Sequence, residues 1–197
     1  MRFTDPDGMG PNDIVLIGTP EYQQRVLSDL QKLSNDKLVM NGNKVEIEAS
    51  GTMNSSKSLS VGTSLISELI CSDKKTTIES SVGGNKTTPD FGLDAEMTSK
   101  GPGLGTGSEI KYNPNSKGED IVNADGTTGR PAEIGLGHEL GHAKNNKDGT
   151  RDTHLDTEKT DPDTGEKGVL TKEEINVRQI DSQIREEQGV VPRKQPY

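Results

Sequence analysis

Residues 133–143 read Glu-Ile-Gly-Leu-Gly-His-Glu-Leu-Gly-His-Ala and hold a His-Glu-x-x-His pattern from His138 to His142. Residues four apart on an α-helix lie on one face, so a helix through this stretch projects both imidazoles the same way. Two imidazoles so placed can bind one zinc ion, and Glu139 beside the first can take a proton from a water held there. Short patterns also arise by chance, and a surface helix can carry two His and a Glu with no chemistry attached. This chain has only 3 His, however, and two of them fall in the pattern. Its filler is apolar or small (Gly137, Leu140, Gly141, Ala143). A metal site follows, on a helix that the rest of the fold must bury.

Composition limits what can bury it. Over 197 residues only 27% are apolar and 3% aromatic, with no Trp, so the expectation is one domain with a small core and long loops. A net charge of −9 argues against nucleic acid, whose phosphates need a basic face. Acidity of this size favours solubility and selects basic substrate segments only weakly. The single cysteine, Cys71, follows an apolar helical stretch and is expected to be a small buried side chain. No run of 18 apolar residues exists, so no membrane span is expected. The N-terminal Met-Arg-Phe-Thr-Asp-Pro-Asp lacks the apolar core of a cleavable signal. Export by another route, or origin within a larger chain, is the expectation.

Taken in order, residues 1–12 read as a flexible arm, and residues 13–197 as one domain. Asp13–Gly18 reads as a strand, and Thr19-Pro20-Glu21 opens a helix with a capping Thr and a Pro in the first turn. The runs 37–40 and 44–48 flank Asn41-Gly42-Asn43, a hairpin signal. Residues 61–72 read as an amphipathic helix, and 76–82 and 108–113 as strands. Polar loops are expected over about 83–107, 115–130 and 147–170, the last exposed. The motif helix starts at Arg130-Pro131 and ends near Asn145-Asn146. Thr171 with Glu174 forms a capping box that opens a last helix, which buries Val177, Ile180 and Ile184 and stops near Gly189.

Catalytic zinc usually has three protein ligands and one open position. His154, in a polar loop, is one candidate third ligand. Asp152 is another, since Gly149-Thr-Arg-Asp152 resembles the Gly-Thr-x-Asp segment of the deuterolysin-like proteases. Glu173 and Glu174, 31 and 32 residues past His142, can return on a second helix beside the first. Proteases whose third ligand is a helical glutamate commonly carry a small or apolar residue three positions on, and Val177 stands there for Glu174, which is preferred. Against it, Glu174 can also simply cap its own helix, and the apolar face points closer to Glu173.

The chain resembles the NleD-like family, effector zinc metalloproteases of bacterial secretion systems. The likeness runs from about residue 108 to the C-terminus, through Ile110-Lys-Tyr-Asn-Pro114, Arg130-Pro131, the motif helix, Glu173-Glu174, Ile184-Arg185-x-Glu187-x-Gly189 and Val191-Pro192-Arg193 to Tyr197. It implies an α+β, zincin-like metalloprotease domain, with a small mixed or antiparallel sheet packed on the active-site helix and a C-terminal helix bearing the third ligand. The metal set it implies is His138, His142 and Glu174 around one Zn²⁺, with Glu139 as general base. Through the family's similarity to the clostridial neurotoxin proteases, Arg193 and Tyr197 are implied as catalytic groups that hold the oxyanion. Substrate is expected as an added strand on a sheet edge, with 108–113 the candidate. The expected activity is zinc-dependent cleavage of a specific protein inside a target cell, after secretion or translocation without a signal peptide. The protein is expected to be a monomer, with an immunity or chaperone protein as a further partner. A non-enzymatic binding module on a degenerate protease fold and a broad-specificity peptidase are the competing readings.

Overall fold

A computed structural model describes residues 14–53 and 57–197. The arm expected over residues 1–12 lies outside the described residues. In chain order the elements are β1 (Ile14–Ile17), α1 (Pro20–Lys32), β2 (Lys37–Asn41), β3 (Lys44–Ala49), α2 (Ser60–Ile70), β4 (Thr76–Ser80), β5 (Lys86–Pro89), α3 (Gly92–Ala95), β6 (Ser108–Tyr112), α4 (Ala132–Asp148) and α5 (Lys172–Gln188). The strands form one mixed sheet in the order β2-β3-β1-β4-β6-β5. β1, β4 and β6 make a parallel centre, β3 and β2 continue it antiparallel on one side, and β5 closes the other.

Register explains how so few apolar residues suffice. Leu16, Ile78 and Ile110 lie side by side across the parallel centre, and all three are fully buried. The alternate positions point to the open face, where Glu79 pairs with Lys111 on the neighbouring strand. With only one face covered, every second strand position can be polar, since successive strand side chains alternate sides. The covered face packs against α1, α2 and α4, and α5 packs on α4 and α2. The motif helix is therefore central. Ile134, Leu136 and Leu140 join Leu30, Leu33, Ile66 and Ile184 in one core, each worth about 1.5–3 kcal/mol on burial.

Local chemistry sets the ends. Thr19 caps α1, its side chain accepting from the Tyr22 amide, with Pro20 at the first position as expected. α4 runs two residues past the expected Asn146 and ends at Gly149, whose φ of +66° is the left-handed closure that favours glycine. A Cβ there would also meet the Gly103 carbonyl oxygen at 2.3 Å. The N-terminus of α2 has no cap of its own. Glu187 of α5 supplies one, accepting from the amides of Val61 at 2.6 Å and Gly62 at 3.2 Å.

Several expectations need correction. The long loop over 83–107 contains β5 and the short α3. β5 reads Lys-Thr-Thr-Pro, with none of the apolar alternation that marks a strand, and its proline is tolerated because the strand is at an edge. Consequently 108–113 is not the sheet edge: β6 is paired on both sides. The hairpin turn is Gly42-Asn43, with Asn41 already paired to Lys44. Cys71 is exposed because it closes α2 one residue beyond the buried Ile70. The 147–170 segment is not wholly exposed: Asp161 is buried and ion-paired to Arg178.

Candidate metal centre

α4 and α5 cross closely because α4 carries glycines where they touch. A Cβ on Gly137 would meet Ile184 Cδ1 at 2.9 Å, and one on Gly141 would meet Val177 Cγ1 at 3.1 Å. The small residues of the motif thus set the distance at which α5 presents its first turn to His138 and His142. That turn is opened by Thr171, whose side chain accepts from the Glu174 amide at 3.1 Å. The Glu174 carboxylate does not complete a reciprocal capping box. It points at the imidazoles instead.

Glu174 Oε2 lies 3.3 Å from His142 Nε2 and 3.5 Å from His138 Nε2, and the two ring nitrogens are 3.2 Å apart. Three donors at about 2.05 Å from a tetrahedral ion would stand about 3.3 Å from one another, given metal–ligand lengths of about 2.0–2.2 Å. The triangle in the protein has those edges. Among the described residues, this trio is the group of three or more His, Cys, Asp or Glu side chains spaced to hold a metal ion.

The outer nitrogens face carboxylates, one in hydrogen-bond contact and one at ion-pair distance. Glu173 Oε1 is 2.5 Å from His142 Nδ1, and the fully buried Asp181 has Oδ2 3.4 Å from His138 Nδ1. An N–H placed on each Nδ1 leaves both Nε2 lone pairs aimed into the triangle, the tautomer that metal ligation requires. The surrounding carboxylates also set the charge the cluster favours. Burial disfavours charge on both rings, but the carboxylates outweigh it. Glu173 and Glu174 raise His142 to about 10, and Asp181 and Glu174 raise His138. Against its own burial, Glu174 is held far below the usual carboxylate range by the two imidazoles. The cluster calls for positive charge at its centre.

Glu139 is buried on the cleft side of α4. Its Oε2 lies 2.7 Å from Thr87 Oγ1, and its carbonyl oxygen lies 3.0 Å from the same hydroxyl. Thr87 belongs to β5, so the edge strand runs along the cleft side of the motif helix. The cleft there has a volume of about 330 Å³, and Lys86, Asn146 and Arg151 line it together with the motif groups. A larger open cleft of about 820 Å³ lies between Arg25, Lys117 and Arg130 at the start of α4, and no motif side chain lines it.

Other sequence candidates fall elsewhere. Asp152 pairs with the exposed His154, at 2.7 Å between Oδ1 and Nδ1, and its carbonyl accepts from the Glu173 amide. Neither residue enters the triangle. Arg193 is buried behind Glu174, with Nη2 2.6 Å from Asp163 Oδ2 and Nη1 3.6 Å from Glu174 Oε1. Tyr197 is 64% exposed, and its ring lies against Lys194. Neither is among the residues that line the cleft. Sequence reading missed Thr87, Asp181, Arg178, Asp161 and Asp163. The signal for part of this set was present: Glu174, Arg178, Asp181 and Arg185 form a charged stripe at helical spacing on a helix with a buried face.

A carboxylate from a second helix meets the His-Glu-x-x-His helix beside a sheet edge, an arrangement compatible with a peptidase domain. The chain belongs to the Peptidase_M91 family, described as effector protein, whose model matches residues 11–195. The NleD-like resemblance of the C-terminal half therefore extends over nearly the whole chain. A comparison with curated proteins gives no match.

Proposed function

We propose that this chain is a zinc-dependent endopeptidase that acts, as a secreted or translocated effector, on a specific protein of a target cell. The observation that carries the reading is the triangle of His138 Nε2, His142 Nε2 and Glu174 Oε2, with edges of 3.2–3.5 Å. Those residues would hold the ion, and zinc bound there supplies Lewis acidity and a water of lowered pKa, about 7 in such sites. Glu139 accepts the proton of the attacking water and returns it to the leaving amine. Thr87 holds the Glu139 carboxylate toward the cleft through the 2.7 Å hydrogen bond. Lys86 and Arg151 are the cleft-lining cations available to charge developing on the scissile carbonyl. β5 offers its free edge, so an extended substrate segment can pair with it as a seventh strand beside Glu139.

Effector family membership supports a protein target and delivery out of the producing cell. Among the described residues no helix is long and apolar enough to cross a membrane. The test is cleavage of unfolded casein and of target-cell lysate by wild type and Glu139→Gln. Discrete lysate products that Glu139→Gln fails to make, with casein largely intact, support a narrow endopeptidase. Broad casein digestion would move the reading to a general peptidase. Equal products from both proteins would remove Glu139 from the mechanism.

A further inference from the structure

Glu174 has two carboxylate oxygens, and only Oε2 faces the imidazoles. Oε1 is taken: Arg178 Nε donates to it at 2.8 Å. Arg178 is 3% exposed and is gripped in turn from the polar segment that follows α4. Its Nη1 donates to Asp161 Oδ1 at 2.8 Å, and its Nη2 lies 3.2 Å from Asp163 Oδ2. Asp163 also accepts from Arg193 Nη2 at 2.6 Å and, through Oδ1, from the Val122 amide at 2.8 Å. The segment is tied on its outer side as well, by the Thr160 amide donating to the Tyr197 carbonyl at 2.7 Å. Asp161-Pro162-Asp163 thus dips inward out of a charged loop and meets α5 one turn beyond Glu174.

Stability alone gives no reason to bury Asp161, Arg178 and Arg193 and to half-bury Asp163 and Glu174 beside them. The desolvation of a buried ion pair cancels much of its attraction, and an apolar set of similar volume is often as stable or more so. What a guanidinium fork supplies, and an apolar side chain cannot, is a fixed direction for each hydrogen bond. Here that direction ends on Glu174 Oε1 and leaves Oε2 alone at the triangle.

We propose that Arg178, clamped by Asp161 and Asp163, is a positioning residue that makes Glu174 a one-oxygen metal ligand, so that the 156–170 loop is a working part of the metal centre. The assignment rests on the metalloprotease reading. It also gives Arg193 a place: through Asp163 it secures the same clamp from the C-terminal side.

The test is zinc affinity by chelator competition, with thermal melting of the metal-free proteins beside it. Wild type is compared with Arg178→Met, Arg178→Lys and Asp161→Asn, and with Ile66→Val, a core trim outside the network. Loss of an outer-shell partner of a ligand typically weakens metal binding about 10–100-fold, and Arg178→Met is expected in that range. Asp161→Asn, nearly isosteric, is expected near the lower end. Arg178→Lys should recover only part of the loss, because one ammonium cannot span Glu174 and both aspartates. Ile66→Val should lower the melting temperature and leave affinity unchanged. Should Arg178→Met not fold, Asp161→Asn carries the test. Wild-type affinity in Asp161→Asn and Arg178→Met, or an affinity loss that Ile66→Val reproduces at equal destabilisation, would overturn the positioning role alone. Failure of the wild type to take up zinc would overturn the metalloprotease reading and this assignment together.

Discussion

Thr87 Oγ1 lies 2.7 Å from Glu139 Oε2 and 3.0 Å from the Glu139 carbonyl oxygen. One hydroxyl thereby ties the sheet edge to Glu139, the proposed general base. Removing it should leave the fold and the His138–His142–Glu174 triangle in place but free the Glu139 carboxylate to rotate. Thr87→Val is expected to lower kcat about 10-fold or more, within the range attributed to positioned acid–base groups, with a smaller change in KM. Steady-state cleavage of an identified peptide measures this. An unchanged kcat would show that Glu139 is oriented by other contacts.

The glycines of the motif helix set the spacing between α4 and α5. A β-carbon at position 141 would already stand 3.1 Å from Val177 Cγ1, and Gly141→Val adds two methyl groups beyond it. Overpacking of this kind costs about 1–3 kcal/mol and moves the helices apart. Because α5 carries Glu174, zinc affinity should fall together with thermal stability. Loss of stability with full zinc affinity would separate helix packing from ligand placement.

Tyr112 ends β6 with its ring fully buried and its hydroxyl donating to Asp29 Oδ2 at 2.9 Å. Burial, and then the Asp29 charge, push the phenol well above its ordinary pKa. Tyr112→Phe removes one donor from a carboxylate that is itself fully buried, which should cost about 1–3 kcal/mol. Denaturant unfolding of the two proteins reads it directly. A difference below about 0.5 kcal/mol would mean that Arg25 and Lys32, the other partners of Asp29, satisfy it alone.

Asp161 makes the clamp sensitive to acid. Burial tends to raise its pKa, but the Arg178 guanidinium and the Asp163 amide hold it below the ordinary value. A carboxylate depressed in the folded state stabilises it fully above the unfolded pKa of about 3.9 and loses that contribution as pH falls through the folded value. The stability gap between metal-free wild type and Asp161→Asn should therefore be constant from pH 7 to about 5 and shrink below about 4. Urea melts at pH 7 and pH 3 check it. A gap of the same size at both would assign the loss to packing.

Much of this was legible in the sequence because it was written at the period of the structure carrying it. The capped α1, the apolar stripe of α2, the strands β1, β4 and β6 and the motif helix all lie where pattern and caps place them. That His138, His142 and Glu174 come together was legible in part, since the two His are one turn apart and Glu174 opens a second capped helix, with Glu173 beside it as the alternative. β5 was not, because a four-residue edge strand that faces solvent and cleft needs no apolar alternation, and Lys-Thr-Thr-Pro carries none. The inward turn of Asp161, buried, and of Asp163, half-buried, was hidden for a similar reason. A carboxylate that enters the interior to meet a guanidinium has the same letter as one in water, and its partners Arg178 and Arg193 lie 17 and 30 residues away. The placement of Arg193 and Tyr197 was not legible either, for their spacing from Glu174 in sequence says nothing of which side of it they occupy.

The most direct measurement is the zinc content of purified wild type, His142→Ala, Glu174→Ala and Glu139→Gln by mass spectrometry after dialysis. The account predicts close to one zinc per chain in wild type and in Glu139→Gln, and loss of it in His142→Ala and Glu174→Ala. A wild type that holds no zinc even after supplementation, or a Glu174→Ala protein that keeps its full complement, would contradict it.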